Sequence, residues 1–149
     1  MNDMSIVEIL LVEDNPRDVD LTLRALKRHN LANLVVVARD GAEALALIFG
    51  DAEETSPSLP TNPRLILLDL KLPKVDGMEV LRRIKAEKRT RTIPVVVLTS
   101  SNQERDMVES YQLGVNSYIV KPVDFDKFLD CVRQLGIYWL LINRLPEPQ

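Results

Sequence analysis

The chain has 149 residues, 46% of them hydrophobic and 28% charged, and a formal net charge of -3. That length and composition suit one soluble core and are too apolar for a disordered segment, and the missing excess of Lys and Arg excludes a general nucleic-acid binder. A lone cysteine, Cys131, rules out an internal disulfide framework; with no signal-like start and no apolar run near the ~20 residues of a membrane span, a cytoplasmic protein is expected.

Ile9 to Val12 form a continuous apolar run that ends on Glu13 and Asp14. Asn15 then offers a helix cap, Pro16 the first helical position and Asp18 an acidic first turn, with Val19, Leu23 and Leu26 on one face of the first helix. His29 falls at the end of that helix and complements its dipole. A second strand is expected over Leu34 to Ala38, and a second helix capped by Asp40, where Glu43 completes a box-like pair and Ala44, Leu45 and Ile48 face inward.

Residues 50–63 break this rhythm with Pro57, Pro60 and Pro63 and read as a long, flexible polar loop. Leu65 to Leu68 then give a third strand ending at Asp69, and Gly77 to Ala86 a third helix with Met78, Leu81 and Ile84 inward. Val95 to Leu98 lead to Thr99, and a fourth helix spans Asn102 to Leu113. Tyr118 to Val120 precede Lys121 and Pro122, and a last helix runs from near Asp124 to about Asn143, with Cys131 as a small core residue. Short continuous apolar strands alternating with helices predict an α/β, doubly wound parallel sheet covered on both faces, with right-handed crossovers.

In such a sheet the carboxyl ends of the strands share one edge, and ligands bind there. The first strand delivers Glu13 and Asp14, the third Asp69, the fourth Thr99 and the fifth Lys121. Two carboxylates 4 Å apart repel by roughly 4 kcal/mol at an effective dielectric near 20, so three of them from neighbouring strands call for a cation. Hard oxygen ligands that leave room for water and a phosphoryl oxygen suit Mg²⁺. Lys121 and a metal would together clamp a phosphoryl group while Asp69, the natural nucleophile, attacks it in line.

The ordered segments VED, LLDLKLPKVDG, VVVLTSS and YIVKP resemble the receiver domains of two-component response regulators, over about Ile6 to Leu145. The long loop before the third strand and the aromatic last helix are similar to stand-alone receivers paired with phytochrome-class sensor histidine kinases. The resemblance implies a flavodoxin-like five-stranded sheet in the order 2-1-3-4-5, forming a single domain over residues 1–149 with a core of about 6–145 and a tail of 146–149. It implies that Asp69 accepts a phosphoryl group from a kinase histidine. Mg²⁺ would be held by Asp14, Asp69 and the backbone carbonyl of Lys71, with Glu13 acting directly or through water. Thr99 would hydrogen-bond the phosphoryl oxygen, Lys121 would pair with its charge, and Tyr118 would be the switch aromatic. The Lys121-Pro122 peptide would be cis. Glu13 stands where many members have Asp, and Lys71 and Ser101 occupy rim positions that tune dephosphorylation in the family. Such a module catalyses only its own phosphorylation and dephosphorylation and is not otherwise an enzyme.

Only PEPQ follows Leu145, so the expected output is another protein. Ile137, Leu140 and Leu141 fall off the stripe that Phe125, Phe128, Leu129, Val132, Leu135 and Trp139 would turn to the sheet. This second apolar face predicts a homodimer through the last helix and its neighbouring strand. A dehalogenase-type phosphohydrolase would need Asp where Lys71 stands, and an FMN carrier would need a Ser/Thr/Gly-rich loop where the chain has EDNPRD. The alternative that keeps the scaffold, a phosphorylation-independent interaction module, is opposed by the intact Asp69, Thr99 and Lys121.

Overall fold

The computed structural model describes residues 8–28, 34–50, 58, 59 and 61–134, without the side chains of Cys131 and Val132. The expectations for His29, for most of the 50–63 loop, for the Cys131 side chain and for Ile137, Leu140 and Leu141 lie outside the described residues. Five strands and five helices alternate in the order β1 (Ile9–Val12), α1 (Pro16–Arg28), β2 (Val35–Ala38), α2 (Gly41–Phe49), β3 (Leu65–Leu68), α3 (Gly77–Ala86), β4 (Val95–Thr99), α4 (Glu104–Gln112), β5 (Ser117–Val120) and α5 (Phe125–Gln134). All strand pairs are parallel, in the order β2-β1-β3-β4-β5.

Local chemistry sets the helix starts. Asn15 Oδ1 accepts the backbone N–H groups of Arg17 and Asp18, and Asp40 Oδ1 accepts that of Glu43 at 2.7 Å, so two otherwise orphaned turns are capped by side chains. The fourth helix starts at Glu104, two residues later than its sequence pattern predicts. Ser101 Oγ accepts the Gln103 N–H, a local bond that competes with helical pairing over residues 101–103.

The three central strands are buried along their whole length, and their period of two sorts side chains between two apolar layers. Leu10, Val12, Ile66, Leu68, Val95 and Val97 pack with residues of α2 and α3. Ile9, Leu11, Leu65, Leu67, Val96 and Leu98 pack with Val19 and Leu26 of α1 and Phe128 and Leu129 of α5. The sheet is therefore covered on both faces, with α1 and α5 sharing one of them.

The loop that follows β3 is held by two close backbone approaches. Gly77 donates its N–H to the Leu70 carbonyl, and a Cβ there would lie 2.2 Å from the Asp69 carbonyl oxygen and 2.5 Å from Leu70 Cα. A Cβ on Gly41 would fall 1.9 Å from the Val75 carbonyl oxygen. Between these contacts Lys74 adopts φ 65° and its ammonium lies 3.4 Å from Asp40 Oδ2, tying the loop to the cap of α2. Gly77→Ala forces backbone apart beside Asp69, so urea denaturation should show a loss of about 1–3 kcal/mol, the cost of overpacking a tight site.

Candidate functional site

The register of the sheet brings the acidic residues together. Val12 pairs with Leu68, so Glu13 and Asp69 leave adjacent strands side by side, and the Asp69 N–H donates to the Val12 carbonyl. Carboxylate oxygens of Glu13, Asp14 and Asp69 all lie within 4.8 Å of one another. Glu13 and Asp69 are buried, whereas Asp14 is exposed.

Lys121, at the end of β5, places its ammonium among these groups. Nζ donates to Glu13 Oε1, to Asp69 Oδ2 at 3.1 Å and to Asp18 Oδ2 at 2.8 Å. Asp18 is a partner that the sequence reading assigned only to the first turn of α1; its reach into the site needed the three-dimensional packing of that helix on the sheet. The Lys121 contacts with these three carboxylates also go beyond the expected pairing with a phosphoryl group. Burial lowers the pKa of Lys121, but its hydrogen bonds to Asp18 and Glu13 and the charge of Asp69 outweigh this, so the ammonium form is held well above the ordinary lysine range. Burial pushes the Glu13 carboxyl up to about 7, opposed by the Lys121 hydrogen bond and assisted by the charge of Asp69.

The second oxygens of Asp69 and Glu13 are also engaged. Asp69 Oδ1 accepts the Lys71 N–H at 3.0 Å, and Glu13 Oε2 accepts the Asn15 N–H at 3.2 Å. The donor set, hard carboxylate oxygens with a backbone carbonyl nearby in the chain, fits a divalent cation. In this structure the positive charge beside the cluster is that of Lys121.

A second group sits on the opposite side of the same strand ends. Thr99 is fully buried as the last residue of β4, and its Oγ1 accepts the Ser101 N–H at 3.3 Å. Tyr118 is buried in the layer packed by α2 and α3, and its hydroxyl donates to the Ser101 carbonyl at 3.0 Å. Burial raises the Tyr118 pKa above the usual phenol range. Ser101 Oγ in turn donates to Asp106 Oδ2 at 2.5 Å. The Lys121-Pro122 peptide is cis. Beside the acidic cluster, a cavity of about 360 Å³ opens between α1 and the start of α5, lined by Asp18, Leu21, Ala25, Lys121, Pro122 and Phe125 among others.

A doubly wound sheet whose strand ends gather three carboxylates, a buried threonine and a lysine defines a receiver. Residues 9–133 match the response regulator receiver domain, and the chain belongs to that family. Response regulator Rcp1 of Synechocystis sp. is 42% identical over 139 residues, which cover 93% of this chain and 92% of Rcp1. The crystal structure of its Mn(2+)-bound form superposes with a TM-score of 0.71 at 39% identity, covering 96% of this chain and 99% of that one. The bacteriophytochrome response regulator AtBRR is 51% identical, with a TM-score of 0.74 and coverage of 93% and 99%. The phosphorylated cyanobacterial phytochrome response regulator RcpA is 41% identical, with a TM-score of 0.73 and coverage of 95% and 99%. The chain is thus similar, over nearly its full length, to stand-alone receivers, which are signalling modules.

Lys121→Met leaves three neighbouring carboxylates without their counter-charge. In urea without divalent metal it should lose about 1–3 kcal/mol of stability, the range for an unpaired, partly buried charge, and Mg²⁺ should restore more stability to the variant than it adds to wild type.

Proposed function

We propose that this receiver accepts a phosphoryl group on Asp69 from a histidine of a sensor kinase and signals through protein contacts. The observation that carries the assignment is the position of Asp69: buried within the acidic cluster, with one oxygen on the Lys71 N–H and the other on the Lys121 ammonium. An Asp69 oxygen would form the new bond to phosphorus while the phosphorus–nitrogen bond to the kinase imidazole breaks, and the imidazole nitrogen keeps the bonding pair. Lys121 would transfer donors from Glu13 and Asp18 to the phosphoryl oxygens, and the Thr99 hydroxyl would bind another of them.

Asp14, Asp69 and the backbone carbonyl of Lys71 would hold Mg²⁺. Bound there, Mg²⁺ offsets the negative charge of the transferring group. Glu13 would act on the metal directly or through water; in this structure one of its oxygens accepts the Asn15 N–H and the other the Lys121 ammonium. The Mn(2+)-bound form of Rcp1 supports a divalent ion in this kind of site. Tyr118 would report the movement of Thr99, through the Ser101 backbone that both contact.

The kinase would be of the phytochrome class, as the names of AtBRR and RcpA suggest, and the setting cytoplasmic, in keeping with the lone cysteine. Among the described residues no helix is long and apolar enough to cross a membrane. A homodimer through the C-terminal helix, by way of Ile137, Leu140 and Leu141, rests on the apolar second face of that sequence.

Incubation with Mg²⁺ and acetyl phosphate should add one phosphoryl group to wild type by intact mass and none to Asp69→Asn. No gain in wild type, with a histidine kinase also supplied, would remove the phosphoacceptor role and favour an interaction module. Sedimentation at tens of micromolar should give a dimer, and Leu140→Glu combined with Leu141→Glu should give a monomer.

A further inference from the structure

Of the three carboxylates that contact Lys121, Asp18 stands apart. Its side chain is 31% exposed, against 5% for those of Glu13 and Asp69, and it lines the cavity between α1 and the start of α5, which Lys121 lines as well. Its place in the first turn of a helix does not account for the contact. Asn15 Oδ1 already accepts the Arg17 and Asp18 N–H groups, so the start of α1 is capped without the Asp18 carboxylate. Asp18 shares a face of α1, at helical spacing, with Leu21, Thr22 and Ala25 on the wall of the same cavity, while Val19 and Leu26 pack the helix onto the sheet.

That packing holds Asp18 Oδ2 at 2.8 Å from Lys121 Nζ, closer than Asp69 Oδ2 at 3.1 Å. An ion pair at that length carries a charge-assisted hydrogen bond, stronger than one between neutral groups. The difference in exposure decides which contact is given up most readily. Glu13 and Asp69 would be left buried and uncompensated by the loss of the ammonium, and depend on another positive charge to release it. Asp18 is open to solvent, and water replaces the ammonium there at little cost.

We propose that Asp18 is a positioning residue that holds the Lys121 ammonium on the α1 side and competes for it with the phosphoryl group on Asp69. The proposal rests on Asp69 being the phosphoacceptor. Phosphorylation puts a group of about two negative charges where the single charge of the carboxylate stood, and its oxygens draw the ammonium off Asp18. The strength of the Asp18 contact is therefore part of the cost of forming the adduct: a firm hold disfavours it and a weak one favours it. Asp18→Asn keeps the shape of the side chain and an oxygen for Lys121 but removes the acceptor's charge, so it loosens the hold without abolishing it.

The test is the affinity for beryllofluoride, which takes the place of the phosphoryl group, at saturating Mg²⁺. It is measured by titration calorimetry on the full chain for wild type, Asp18→Asn, Asp18→Glu and Asp20→Asn, with phosphoryl gain from acetyl phosphate read by intact mass on wild type. Asp20 lies on the same helix and pairs with Arg24 at 3.0 Å, exposed on both sides, so Asp20→Asn makes the same change of net charge away from Lys121. Asp18→Asn should bind about fivefold more tightly than wild type, the scale of weakening one charged hydrogen bond. Asp18→Glu, which keeps the carboxylate, and Asp20→Asn should stay within about twofold of wild type, as expected for exposed charges. An Asp18→Asn affinity no tighter than wild type overturns the competition while leaving the phosphoacceptor in place, as does an equal gain in Asp18→Glu or Asp20→Asn. A wild type that takes up neither beryllofluoride nor a phosphoryl group refutes the Asp69 assignment, and the competition falls with it.

Discussion

The site depends on one ammonium group shared by three carboxylates. Lys121 Nζ contacts Glu13 from the end of β1, Asp18 from the first turn of α1 and Asp69 from the end of β3. Glu13 and Asp69 are buried side by side, where two unpaired charges would be costly, and Asp18 adds a third, partly exposed carboxylate. Because the three come from separate elements, the lysine links α1, packed on the sheet by Val19 and Leu26, to the ends of β1 and β3. Under the proposed function the same arrangement would be exchangeable: a metal would take over neutralisation of the carboxylates, and a phosphoryl group would take the ammonium.

The period of two along the strands divides this edge into two halves. Glu13 follows the parity of Ile9 and Leu11, Asp69 that of Leu65 and Leu67, and Lys121 that of Ile119, all in the layer packed by α1 and α5. Tyr118 belongs to the opposite layer, and Thr99 shares the parity of Val95 and Val97, which are also there. Charge chemistry is thus placed beside α1, and the hydroxyls of Thr99 and Tyr118, joined through the Ser101 backbone, beside the helices of the other face. The backbone of Asp69 is pinned by the close approach of Gly77.

Much of this could be read in the sequence because it depends on local signals. Continuous apolar runs gave the buried strands, and Asn15, Pro16 and Asp40 gave helix starts, each seen in the structure. Which residues end the strands follows from those runs, so Glu13, Asp14, Asp69, Thr99 and Lys121 could be gathered on one edge before any coordinates. Asp18 escaped because an acidic first turn is fully explained by the helix dipole, and only the packing of α1 turns it to Lys121. Asp106 escaped for the same reason, as one of two acids in the first turn of α4. Gly41 and Gly77 look like ordinary helix starts until the loop after β3 is seen pressed against both.

The most direct test of a shared, exchangeable lysine is a crystal structure with Mg²⁺ and beryllofluoride, a mimic of the phosphoryl group. The expected result is a metal bound by Asp14 and Asp69, beryllofluoride on Asp69, and Lys121 Nζ moved from Glu13 and Asp18 onto a fluoride. A Lys121 that keeps both carboxylates while Asp69 carries the adduct would contradict the exchange on which the site is argued to work.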